Sequence, residues 1–188
     1  TMSSSWNIIG GYGGFISLGH NVFFGIGAYF SGFIFVRYGI SPFITALIAG
    51  LVAALFGFVV GFITLRVKGP SYIISSIALL MIFRILFDRW ELIGGTHGMT
   101  LPHNTFPVEW SKIPHYYALL LLMVLSIYLS WYIRHSKFGL ALRSISHDEI
   151  KSEVTGINVK IIKVTAYALS AYFIGAAGAI WGDYLTYV

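Results

Sequence analysis

Five long apolar runs, separated by short polar stretches, dominate the chain, at about residues 17–36, 42–65, 72–87, 116–133 and 164–187. Each approaches the ~20 apolar residues that carry a helix across a bilayer. An open strand in lipid would leave its backbone groups unpaired. The runs also lack the ten-residue alternation of a transmembrane barrel. The pattern therefore predicts an all-α fold, a polytopic transmembrane helix bundle forming a single domain over 1–188, with a long polar connection at 134–163.

Composition supports lipid as the solvent. The chain is 57% hydrophobic and only 10% charged, where soluble domains carry about 25% charged residues. The net charge of +5 is explained by topology and not by nucleic-acid binding. The connections after the second and fourth runs hold Arg66, Lys68, Arg134, Lys137, Arg143, Lys151, Lys160 and Lys163, whereas the other face has Arg37, Arg89 and Lys112. Lys and Arg accumulate on the cytoplasmic side, so 134–163 is expected there. Arg84 and Asp183 lie near the outer ends of their runs and are expected to snorkel to water. There is no cysteine, hence no disulfide or thiolate metal site. The apolar runs stop and start abruptly at both termini, which predicts a piece of a longer polypeptide with further spans.

Two stretches break the apolar pattern in a chemically suggestive way. Gly10-Gly11-Tyr12-Gly13-Gly14 precedes Ser17-Leu18-Gly19-His20. Glycine at this density disfavours continuous helix, and Ser17 is expected to cap a helix starting just after it. Two readings stay open: a plain turn outside the membrane, or a broken helix whose free N-terminus lies at membrane depth. The second would make Gly13, Gly14, Ser17, Gly19 and His20 candidate substrate-path residues, because half-helix N-termini favour a carboxylate.

Within 134–163, Ser146 and Glu149 have capping-box spacing. Ile150, Val154 and Ile157 then share one face of a short helix that Gly156 would terminate. Such a helix can dock into a partner's groove or lie on lipid headgroups. Small residues recur at helical spacing: Gly25, Ala28 and Gly32; Gly50, Ala54, Gly57 and Gly61; Ala171, Gly175, Gly178, Ala179 and Gly182. They predict close intramolecular helix packing.

Catalysis is not indicated. The chain has no phosphate-binding Gly-x-x-x-x-Gly-Lys motif, no His-Glu-x-x-His and no Gly-x-Ser-x-Gly, so it is expected to bind no ATP by that route and to be no enzyme. His97, His103 and His115 share one polar connection but lack the tight spacing of a metal site.

These stretches together resemble one family. Gly11-Tyr12-Gly13-Gly14 through Ser17-Leu18-Gly19-His20 and Phe23-Phe24-Gly25-Ile26-Gly27-Ala28-Tyr29 are similar to the signature of branched-chain amino-acid ABC transporter permeases, and most similar to the M-type subunit. Leu65-Arg66-Val67-Lys68-Gly69, Gly94-Gly95-Thr96-His97-Gly98 and Ser136-Lys137-Phe138-Gly139-Leu140-Ala141-Leu142-Arg143-Ser144-Ile145 continue the likeness in order. The resemblance implies that 134–163 is a cytoplasmic coupling loop gripping an ATPase. Ile145, Asp148, Glu149, Ile150, Glu153 and Gly156 are its candidate coupling residues. It further implies cytoplasmic ATP-binding subunits that hold the ATP, a second permease subunit, an external substrate-binding protein, and residence in a prokaryotic inner membrane among its lipids. Where the family has an alanine-rich run, this chain has Lys151, Ser152, Val154 and Thr155. Relatives of this type also serve urea and short amides, so the substrate class stays open. An ATP-independent transporter would need midplane carboxylates, and the seven acidic residues lie in connections or near helix ends.

Overall fold

The computed structural model describes residues 1–65, 67, 69–90 and 112–185. Among them every regular element is helical: α1 (Met2–Asn7), a π-helical turn (Ile8–Tyr12), α2 (Asn21–Tyr38), α3 (Pro42–Thr64), α4 (Pro70–Asp88), α5 (Lys112–His135), α6 (Lys137–His147), α7 (Glu149–Val154) and α8 (Val159–Leu185). Four helices are long and apolar enough to cross a membrane: residues 42–64, 71–88, 112–135 and 159–185. Arg66 and Lys68 and the motif at 94–98, with His97 and His103, lie outside the described residues.

The bundle is organised around α8. Its most apolar stretch is 72% buried, against 39% for α3, 22% for α5 and 11% for α4. Lipid tails are as apolar as leucine, so burial of apolar surface cannot drive these helices together, and close van der Waals fit must. The fit is made by small residues. A methyl group on Gly27 of α2 would overlap the backbone of Gly175 in α8, and one on Gly178 would overlap the Phe24 carbonyl. On the α3 side, Gly57 faces Ala171, Gly50 faces Tyr172 and Gly175 faces Ala53. The α3 and α8 stripes expected from the sequence are thus used within the chain. In α2 the working position is Gly27, while Gly25, which belonged to the expected stripe, faces open space.

Hydroxyls add polar contacts inside the bundle. Ser31 and Thr45 join α2 to α3 at 2.7 Å, Ser4 meets Ser126 at 2.9 Å, and Ser170 donates to the Ser5 carbonyl at 2.9 Å. At the end of the bundle opposite 134–163, His115 Nε2 and Asp183 Oδ2 are 2.7 Å apart, with side chains 4% and 5% exposed. Asp183 therefore does not snorkel to water, contrary to the expectation from its place near a helix end. Its partner sits 68 residues earlier in the chain, on the first turn of α5. Arg84, by contrast, is exposed on α4.

Helix α4 packs loosely. An apolar cleft of about 520 Å³ separates it from α2 and α3, lined by residues including Tyr29, Phe30, Phe56, Phe83, Phe87 and Trp90. The helix is broken near the N-terminus, one turn later than the glycines suggest. Gly10 and Gly11 stay helical inside the π turn, and the chain leaves the helix at Gly13. A π turn tolerates this irregularity and is often found at functional sites.

Candidate functional site

The non-helical segment 13–20 lies between the π turn and α2, folded against α4 and α8. Backbone groups exposed by a break must find partners where water is scarce. Trp6 Nε1 donates to the Ser17 carbonyl at 2.8 Å, the Leu18 amide donates to Ser76 Oγ at 3.1 Å, and the Phe15 amide donates to the Ile9 carbonyl at 3.2 Å. A methyl group on Gly19 would approach the Ser76 carbonyl to 2.9 Å, so this glycine permits the segment to lie directly on α4.

Ser17 does not cap α2. A turn over residues 18–20 intervenes, His20 occupies the cap position, and no side chain bonds the first turn. Ser17 is instead turned into the protein. Its hydroxyl comes within interaction range of Tyr72 and Tyr167. The His20 ring packs edge-on against Tyr167 at 4.9 Å and Phe23 at 5.7 Å between centroids. Ser17, His20, Tyr72 and Tyr167 are all buried. Yet Ser17 Oγ, both His20 ring nitrogens and Tyr72 Oη complete no hydrogen bond among the described residues. Buried polar atoms usually have partners, and an unsatisfied one costs about 1–3 kcal/mol. Four gathered at one break form a polar spot able to bond a small polar group entering from outside.

The 134–163 connection is the second element of the site. Ser136 caps α6 by accepting from the Gly139 amide at 3.2 Å. Leu142 and Ile145 are buried and hold α6 to the bundle, so Ile145 faces the protein's own core. The expected capping box does not form, because α6 continues through Ser146. Asp148 caps α7 instead, its extended backbone letting Oδ1 accept from the Ile150 and Lys151 amides at 3.0 and 3.1 Å. The backbone amide of Lys151 in particular holds the Asp148 carboxyl below its usual value. The cap is therefore intact at neutral pH and is lost only on acidification through that lowered value.

Gly156, at φ +87°, ends α7 in a Schellman motif: its amide bonds the Glu153 carbonyl at 3.0 Å and the Ile157 amide bonds the Ser152 carbonyl at 3.1 Å. Of the apolar face expected on this helix, Ile150 and Val154 are bare, whereas Ile157 lies beyond Gly156 and is half-buried. Ile150 is 69% exposed and Val154 83%, and Glu153 is exposed beside them. Ser144 and Ser152 hydroxyls, 2.8 Å apart, lash α7 to α6.

These two regions stand far apart in the sequence, and the fold brings them together. A methyl group on Gly14 would stand 3.1 Å from Ser146 Cβ. Lys163, absent from the sequence-derived candidates, ion-pairs with Glu149 and also lies over the Phe15 ring, 4.2 Å from its centroid. The contact at Gly14 is testable because the chain has no native cysteine. Cysteines at positions 14 and 146 are expected to form a disulfide on mild oxidation once the segment gives by a few tenths of an ångström, since disulfide Cβ atoms stand about 3.5–4.5 Å apart. The strain of a side chain at φ +73° costs about 1–2 kcal/mol, against the 2–4 kcal/mol typical of such a crosslink. Thiol titration reads the result, and two persistently free thiols would contradict the contact.

Residues 1–188 match the family model described as branched-chain amino acid transport system / permease component. The high-affinity branched-chain amino acid transport system permease protein LivM of Escherichia coli (strain K12) is 31% identical over 202 residues, covering 93% of this chain and 48% of that protein. The protein of the same name from Salmonella typhimurium is 30% identical with the same coverage. The chain thus spans about half the length of the curated relatives it matches. No solved structure matches it.

Proposed function

The chain belongs to the family of branched-chain amino-acid transport permease components, and from that premise we propose that it acts in an ATP-binding-cassette importer, lining the translocation path and coupling to a separate ATPase. Branched-chain amino acids are the proposed substrates, as the names of its relatives suggest. A prokaryotic inner membrane is the proposed location, with 134–163 in the cytoplasm. A second permease subunit and an external substrate-binding protein would complete the assembly. Helices α4 and α5 leave most of their apolar residues uncovered, which lipid or a helix of the second subunit would face.

The observation that carries the coupling reading is α7. It is capped at both ends, tied to α6, and presents Ile150 and Val154 outward without a partner among the described residues. A six-residue helix with an apolar face suits a groove on another protein. The proposed path runs past the polar spot at the break. Ser17, His20 and Tyr72 would offer hydrogen bonds to a substrate's polar groups, with Gly13, Gly14 and Gly19 allowing close backbone approach.

The test is a pull-down from solubilised membranes of the complete transporter. Ile150→Glu buries a charge in the docking face, and Gly156→Pro destroys the left-handed terminus of α7. Each is expected to cut co-purified ATPase at least tenfold, the scale of losing one hot-spot residue, while the chain inserts normally. Wild-type amounts of ATPase with both variants would overturn the coupling assignment.

A further inference from the structure

Resting on the reading of this chain as an ATP-driven permease subunit, we propose that Lys163 is a positioning residue that ties α7 to the broken segment, so that displacement of α7 resets the segment at residues 13–20. A lysine that is 3% exposed must have its ammonium compensated, because an uncompensated buried charge is strongly destabilising. Among the contacts of Lys163, near the start of α8, two lead in different directions. One is the ion pair with Glu149, in the first turn of α7. The other is the face of Phe15 in the broken segment, an attraction between a cation and an aromatic ring.

From Phe15 the contacts continue into the polar spot. Its ring meets Tyr72 edge-on at 6.2 Å between centroids, and Tyr72 faces Ser17 and Tyr167. A second contact, Gly14 against Ser146, joins the broken segment to the end of α6. The Ser144–Ser152 bond makes α6 and α7 move together. If a partner displaces α7, breaking the Glu149 pair weakens the compensation of an ammonium held in a poorly solvated place, which favours Lys163 following α7. Packed elements of this kind have discrete arrangements and do not deform continuously. Lys163 therefore links the position of α7 to the shape of the break.

A purely structural clamp would use the same contacts, so the test separates the two roles. Lys163→Met leaves every side chain of α7 in place, and Glu149, whose side chain is 20% exposed, stays within reach of water. This variant is therefore expected to fold, insert and retain its ATPase. In the reconstituted complete transporter its transport per ATP hydrolysed is expected to fall roughly tenfold, within the range for residues that carry coupling. Lys163→Arg keeps the charge and the ring contact and should stay within about twofold of wild type. Phe15→Leu keeps bulk but loses the ring face, and should lower the same ratio with ATPase binding unchanged.

A wild-type transport-to-hydrolysis ratio in Lys163→Met would overturn the positioning role. So would loss of ATPase from Lys163→Met, which would make the pair a structural clamp. A wild-type complex that recovers no ATPase at all would instead remove the proposed function, and the two failures are distinguishable.

Discussion

Gly27→Val is expected to lower the stability of the bundle by about 3 kcal/mol, the upper end of the range for overpacking. In most cores an added methyl is absorbed by a neighbouring side chain changing rotamer. Here the nearest atoms are the backbone of Gly175, so α2 and α8 must separate as rigid rods. Separation would also open the contact of Gly178 with Phe24 and draw Phe23 away from Tyr167, whose ring centroids are 5.3 Å apart. Stability margins of domains are only about 5–15 kcal/mol, so the variant should yield little folded protein. Gly25→Val supplies an internal control. It lies on the same helix with nothing within 4 Å, and its effect should stay within about 0.5 kcal/mol. Thermal unfolding in detergent measures both. Equal losses at the two positions would contradict the α2–α8 contact and favour a general intolerance of α2 to branched side chains.

His115→Ala is expected to cost about 3 kcal/mol, the scale of removing one partner from a buried pair. The imidazole is bonded to Asp183 Oδ2 and packed against Phe43 and Tyr184, at 5.2 and 6.0 Å between ring centroids. Truncation takes away both the hydrogen bond and the ring packing while the carboxyl stays buried. The paired replacement His115→Leu with Asp183→Leu should recover part of the loss, because it removes the carboxyl that the single truncation leaves buried. A double-mutant cycle on thermal or denaturant unfolding reads the coupling directly. Additive single-site effects would show that the two residues do not act as a unit.

The helical runs, the basic connection and the termination of α7 at Gly156 were legible in the sequence because each depends on residues within a turn or two. Apolar periodicity fixes a helix, and a glycine fixes a left-handed end. The misjudged features involve competition between neighbours. The Ser146 and Glu149 spacing satisfies a capping box, but α6 runs on through Ser146 and leaves the cap to Asp148. Likewise Ser17 has the chemistry of a cap, yet a turn separates it from α2 and it faces Tyr72 and Tyr167 instead.

Sequence alone determined that this chain must live in lipid as helices, where its charges gather, and that its small residues allow close packing. Only the tertiary structure decided which glycine meets which backbone, that Asp183 is bonded to His115, and that Lys163 joins α7 to the break at Phe15. Helix and turn preferences act between near neighbours, so a one-dimensional pattern records them. The partner of a buried charge is set by the depth and rotation of helices distant in sequence, and no local spacing encodes that.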